Sequence, residues 1–335
     1  MAVWGLARSW TLAASFASLG LCCGARSELD VPTGAPDASE AGSDASPPSL
    51  APCTTRDYAS DLNSDAFAVT SQFVYFVFEA AGLYRTPKDA GEPQLVFEFS
   101  GSDYIDDFVA DESFVWWVDA GGYLARIPSA GGSKETLGCA APTGCPTGAG
   151  LYVTLLASTP TGVLVSDNSA RLYVVPKDGS ALFPLSASAA IYGPVRSVAT
   201  DATVALWSTD ERVYGDELDG TDASPVPYAD WPGGVALHGG FMYWTRKVSG
   251  AWRLERQQEG SGESASKLAD GISGPIGAND AFVYGGLPSG GGLAKAPVSG
   301  GATSVLVPYV GVRRLVVDGA CVYYVSGKGL HRVPG

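Results

Sequence analysis

One pattern constrains this chain more than any other: a polar or turn-forming residue followed, three positions on, by a short apolar and aromatic run, seven times over. The turn residues are Thr70, Asp111, Pro160, Asp201, His238, Asn279 and Asp318, at steps of 37 to 49 residues. Three positions later stand Phe73, Phe114, Val163, Val204, Phe241, Phe282 and Cys321. A shorter apolar segment precedes each turn, such as Phe108-Val109-Ala110 or Leu315-Val316-Val317. The pair reads as a β-hairpin. Self-similarity at this period outranks local signals, because each repeat is a unit that buries its apolar faces only against its neighbours.

A second hairpin follows inside each unit. An apolar position leads into proline and then a glycine-containing turn, as in Pro87-Lys88-Asp89-Ala90-Gly91, Pro128-Ser129-Ala130-Gly131-Gly132 and Pro297-Val298-Ser299-Gly300-Gly301. Proline lacks a ladder donor and belongs at a strand end, while glycine supplies the positive φ of a tight reversal. Four short strands in about 40 residues predict an all-β chain, a β-propeller of seven four-stranded blades over residues 53–335, with six blades as the alternative. A β-sandwich needs roughly 100 residues per unit, and solenoid repeats are shorter or helical. The 43 Gly, 22 Pro and only 17% charged residues rule out a long helical bundle.

The runs Met242-Tyr243-Trp244-Thr245 and Val322-Tyr323-Tyr324, with Leu-x-Arg-x-Pro at Leu124 to Pro128 and Leu330 to Pro334, resemble the YWTD and NHL type of propeller repeat. The resemblance covers residues 62–335 at the level of the repeat. Those families usually have six blades, and they are mostly binding scaffolds with a minority of enzymes. The resemblance therefore implies a scaffold, with a lyase or hydrolase acting at the central channel face as the alternative.

The last unit stops at Val333-Pro334-Gly335 with no outer strand, and an open strand edge invites association. The segment from Thr54 to Ser60 is the natural donor, so an N-terminal strand is expected to close the ring. Four cysteines lie in the same region. Cys139 and Cys145 are spaced for a small loop tie, which leaves Cys53 to pair with Cys321 unless Cys321 is a free buried thiol.

Residues 1–23 carry one basic residue, Arg8, and an apolar stretch from Ser9 to Leu21, which reads as an export signal rather than a membrane span. Cys22-Cys23-Gly24 resembles the end of a lipoprotein signal, with lipid on Cys23 (or Cys22). Ordinary cleavage after Ala25 is the alternative. Residues 24–52 form a tether rich in Asp, Ala, Ser, Gly and Pro that buries too little apolar surface to fold. Its reach is roughly 25 to 30 Å. These signals predict an exported, cell-envelope protein, anchored by lipid or free in the periplasm or medium, and monomeric.

With 21 Lys+Arg against 35 Asp+Glu, the net charge of −14 disfavours nucleic acid and anionic membrane surfaces. Two histidines in different blades, His238 and His331, predict no metal site, and no cofactor fingerprint is present. No catalytic constellation is visible. The expected ligand-binding surface is the channel mouth, where Asp106, Arg196 and Arg313 enter inner strands with Trp231 beside them. Mixed charge next to an aromatic suits a protein, peptide or glycan.

Overall fold

The computed structural model describes residues 53–335 apart from 61, 79–81, 101–104, 106, 120–121, 140–153, 167–171, 179, 181, 186–193, 220–225, 262 and 328. The signal, the tether, Cys22, Cys23, Asp106 and Cys145 fall outside the described residues, as do the side chains of Cys139 and a few other strand residues. The chain from Leu50 to Gly335 forms one compact unit.

That unit is a seven-bladed β-propeller, each blade an antiparallel sheet of four strands. Blade 1 runs Leu62–Val69, Phe73–Phe78, Gly82–Pro87 and Gln94–Glu98, in that spatial order. The first strands of blades 2 to 7 are Phe108–Ala110, Thr154–Ser158, Ser197–Thr200, Pro232–His238, Ser273–Ala278 and Val312–Asp318. Each first strand lies against those of its two neighbours, and blade 7 meets blade 1, so these strands line the centre of a closed ring.

The apolar core is divided accordingly. Seven clusters each draw their buried residues from two adjacent blades, one cluster per interface. Side chains alternate along a strand, so Trp117 packs into the interface of blades 1 and 2 while Trp116 packs into that of blades 2 and 3. Both are fully buried. A seven-fold set of interfaces excludes the six-bladed alternative.

The ring closes as the sequence predicts. Arg56–Ala59 pairs antiparallel with Gly329–Pro334 and becomes the outermost strand of blade 7. Cys53 and Cys321 form a disulfide across 268 residues, with Cα atoms 5.6 Å apart. Arg332, almost wholly buried, donates from Nε to the Thr54 carbonyl at 2.9 Å and from Nη1 to that of Lys88 at 2.6 Å, tying the closing strand to blade 1.

The hairpin column holds with two corrections. Asp111, Asp201 and Asn279 accept backbone N–H bonds from residues two and three positions on, at 2.7 to 3.0 Å. In blade 3 the equivalent is Thr159 rather than Pro160, since Thr159 Oγ1 accepts from the Gly162 N–H at 2.9 Å. In blades 5 and 7 His238 and Asp318 end their strands, Gly239-Gly240 and Gly319-Ala320 make the turns, and Asp318 instead pairs with Lys88.

Antiparallel order gives the ring two faces. On the lower face lie the turns between first and second and between third and fourth strands. On the upper face lie the turns between second and third strands and the links from one blade to the next. Cys53 and Gly335 both belong to the lower face, since Arg56 pairs with Arg332 and Cys321 with Pro334.

Candidate binding face

Of the residues expected at the channel mouth, Asp106 lies outside the described residues, and the other three sit on the upper face or just below it, but in separate blades. Arg196 precedes the first strand of blade 4, Trp231 that of blade 5, and Arg313 lies near the start of that of blade 7. Arg196 is held by Asp210 through Nε at 2.7 Å and Nη2 at 3.1 Å, across its own blade. This bond lowers the Asp210 carboxyl and raises the Arg196 guanidinium relative to their ordinary values. Arg313 lies 2.8 Å from Asp65 of blade 1, and Arg314 pairs at 2.5 Å with Asp107, the neighbour of the undescribed Asp106. The mouth cations thus face carboxylates of adjoining elements, which neutralise their charge.

Trp231 differs. It alone links Asp230 to Pro232, donates its N–H to the Glu211 carbonyl at 2.8 Å and accepts from the Lys247 N–H at 3.1 Å. The one-residue link holds it at φ 54°, a region costly for a bulky side chain, and its indole is 69% exposed. Among the described residues, three other non-glycine residues have positive φ: Ser249 at 50°, Ser289 at 58° and Tyr309 at 59°. All four lie on the upper face, within the arc from the blade 4–5 link to the blade 6–7 link. Such strain costs about 1 to 3 kcal/mol per residue and persists only where surrounding structure imposes it. Tyr309 is 91% exposed.

Between these two aromatics lies a cleft of about 650 Å³ at the junction of blades 5 and 6, lined by Lys247, Trp252, Asp270, Ser273, Pro288 and Ser289 among others. That volume is in the range of small-ligand sites. Its wall follows from local sequence. The second and third strands of blade 5, Phe241–Val248 and Ala251–Gln258, have eight residues each, against five or six in the other blades. The longer hairpin projects beyond the ring and reverses at Ser249-Gly250, both with positive φ as a two-residue hairpin turn requires. The opposite wall is the short 3-10 turn Pro288–Gly290 of blade 6.

Below the cleft the blades meet through glycine. A side chain at Gly234 would stand 2.2 Å from the Gly274 carbonyl oxygen, so only glycine lets these inner strands approach. Lys247 and Trp252 are a cross-strand pair on the cleft side of the hairpin. On its other side Arg246 lies 2.7 Å from the buried Glu255, and Arg253 3.8 Å. Lys267 pairs with Asp270 at 2.5 Å. Among the described residues, no hydrogen bond or ion pair engages the ammonium of exposed Lys247.

The sequence points to the inner-strand starts and to Trp231, and does not single out Lys247, Trp252 and Tyr309, which line or flank the cleft. The available signal was the extended run Trp244-Thr245-Arg246-Lys247-Val248-Ser249-Gly250-Ala251-Trp252, which delays the turn beyond its position in the other repeats. No group of three or more metal-ligating side chains occurs among the described residues. His238 Nε2 lies 2.8 Å from Asp280 and His331 Nδ1 2.6 Å from Asp57.

No family model and no curated protein matches the sequence. Among solved structures, the fold is similar to YCF48 bound to D1 peptide, with a TM-score of 0.63 and 11% identity over 86% of this chain and 99% of that one. It is similar to YCF48 from Cyanidioschyzon merolae, with a TM-score of 0.58 and 13% identity over 84% and 98%. A catalytically inactive virginiamycin B lyase from Staphylococcus aureus with quinupristin gives 0.58 and 11% over 84% and 99%. At these identities the likeness is one of fold.

Proposed function

We propose that this chain is an exported, lipid-tethered binding module that holds a protein partner on its upper face. The observation that carries the reading is the gathering there of the four strained non-glycine residues found among the described residues, two of them bare aromatics on either side of a cleft. A solvent-exposed Trp or Tyr held in a costly backbone conformation contributes nothing to the core, so its position is explained by what it meets. Among proteins of similar fold, YCF48 has been solved with a peptide, which supports a polypeptide partner. The resemblance of the repeat to the YWTD and NHL type agrees with a scaffold role. Export is supported by the Cys53–Cys321 disulfide, a bond that persists in oxidising compartments. The lipid anchor on Cys23 (or Cys22) rests on the leader sequence.

Two measurements test this. The mature chain, Trp231→Ala and Tyr309→Ala are used to capture partners from an envelope extract. A band retained by the parent chain and lost by both variants is expected, and equal capture by all three removes the upper face from consideration. Mass spectrometry of the native N-terminus reads the anchor. An acylated cysteine is expected, and an unmodified chain beginning at Arg26 excludes lipidation.

A further inference from the structure

The cleft and its flanking aromatics form a row across three blades. Trp231 is joined to Lys247 by its carbonyl, Lys247 stands opposite Trp252 in the cleft wall, and beyond the cleft Tyr309 donates its N–H to the Gly291 carbonyl at 3.2 Å. Of the cations in this arc, Lys267 is occupied by Asp270, and Arg246 and Arg253 share Glu255. Among the described residues of the cleft wall, the ammonium of Lys247 is the cation left open. With Arg212, Arg246, Lys247, Arg253 and Lys267 against Glu211, Asp230, Glu255 and Asp270, the arc carries one positive charge in excess, in a chain of net charge −14.

We propose that this row seats an acidic polypeptide segment, with a carboxylate held by Lys247 and apolar side chains lying on Trp231, Trp252 and Tyr309. The assignment rests on the upper-face reading above and adds the chemistry of the occupant. Charge complementarity selects the anion, because a protein of net negative charge offers an acidic partner a foothold where it leaves a cation such as Lys247 without a carboxylate of its own. The spacing of aromatics over several blades, rather than around one small pocket, matches an extended chain whose alternate side chains reach one surface. The open turn at Gly250 and the open link at Gly271, where nothing lies within 4 Å of a built side chain, let a second backbone come close.

The test uses the full mature chain and two labelled octapeptides, one alternating phenylalanine with glutamate and the other phenylalanine with lysine, read by fluorescence anisotropy. Binding of the glutamate peptide alone is expected, weakening as salt rises. Lys247→Glu should reduce its affinity at least tenfold, and Lys247→Gln by a smaller factor, with unchanged thermal midpoints because the residue is exposed. Equal binding of the two peptides overturns the proposal, as does unchanged affinity in Lys247→Glu. So does binding of polygalacturonate, an anionic glycan, as tightly as the glutamate peptide. If the peptides fail while Trp231→Ala and Tyr309→Ala still release the partner from extract, the upper-face reading stands and only the acidic occupant falls.

Discussion

At the scale of single residues, one position in the repeat does more than the turn column that first exposed it. The cation two residues before the third-strand proline or its equivalent recurs as Arg85, Arg126, Arg256, Lys295 and Arg332. Arg85, Arg126, Arg256 and Lys295 lie over the aromatic that opens the second strand, and four of the five cations donate to a carbonyl at the third-strand end of the next blade. The Leu-x-Arg-x-Pro signature is therefore an inter-blade clasp. Arg126 stacks on Phe114 at 4.3 Å and reaches the Lys177 carbonyl at 3.1 Å. Arg126→Ala should lower stability by about 2 kcal/mol, read from the denaturant midpoint, from a lost charged hydrogen bond and ring contact. Arg212→Ala, which removes an exposed pair at 3.4 Å, should change it by less than about 0.5 kcal/mol. Asp111 gives a pH-dependent counterpart. Burial pushes its carboxyl up, but Lys177 at 2.8 Å and two backbone N–H groups outweigh that and hold it below its ordinary 3.8. A depressed carboxyl stabilises the fold above its unfolded pKa and loses that contribution as pH falls through the folded one. Asp111→Asn keeps the turn acceptor and loses the ion pair. Its deficit of about 1 kcal/mol should hold from pH 7 to about 4 and shrink below that.

At the scale of elements, strand identity was legible wherever side-chain period and turn chemistry agreed. Phe108–Ala110 and Ser304–Pro308 have the bounds that their apolar runs and flanking turns suggest. Blade 3 was misread by one position because Pro160 resembles a turn residue, whereas the hydroxyl of Thr159 performs the bonding. Its outer strand is only Phe183–Pro184, since a terminal proline removes a donor from an already short edge. The candidate site was half legible. Trp231 is conspicuous in sequence, but the eight-residue strands of blade 5 matter only once their tip is seen to line a cleft together with the blade 6 turn. Hairpin length is visible in a sequence, while what the hairpin borders is not. Arg313 illustrates the converse: its position at the inner strand was readable, but its neutralisation depends on Asp65, more than 200 residues distant in the chain.

At the scale of the whole molecule, the ring depends on one joint. Blade 7 alone takes its outermost strand from the other end of the chain, and Cys53–Cys321 locks that strand. Closing a loop this long removes unfolded-state entropy worth at most about 5 kcal/mol. Cys321→Ala should therefore lower the unfolding midpoint markedly, and non-reducing peptide mapping of the parent chain should recover Cys53 and Cys321 in one linked fragment. Recovery of Cys321 as a free thiol would refute the bond. The joint also sets a timetable. A ribosome adding roughly 5 to 20 residues per second takes roughly 15 to 50 seconds to cover the 268 residues between the two cysteines. Throughout that interval the first strand made waits for the last, so a nascent chain interrupted before Cys321 has lost its lock as well as its final blade, however many earlier blades have already packed.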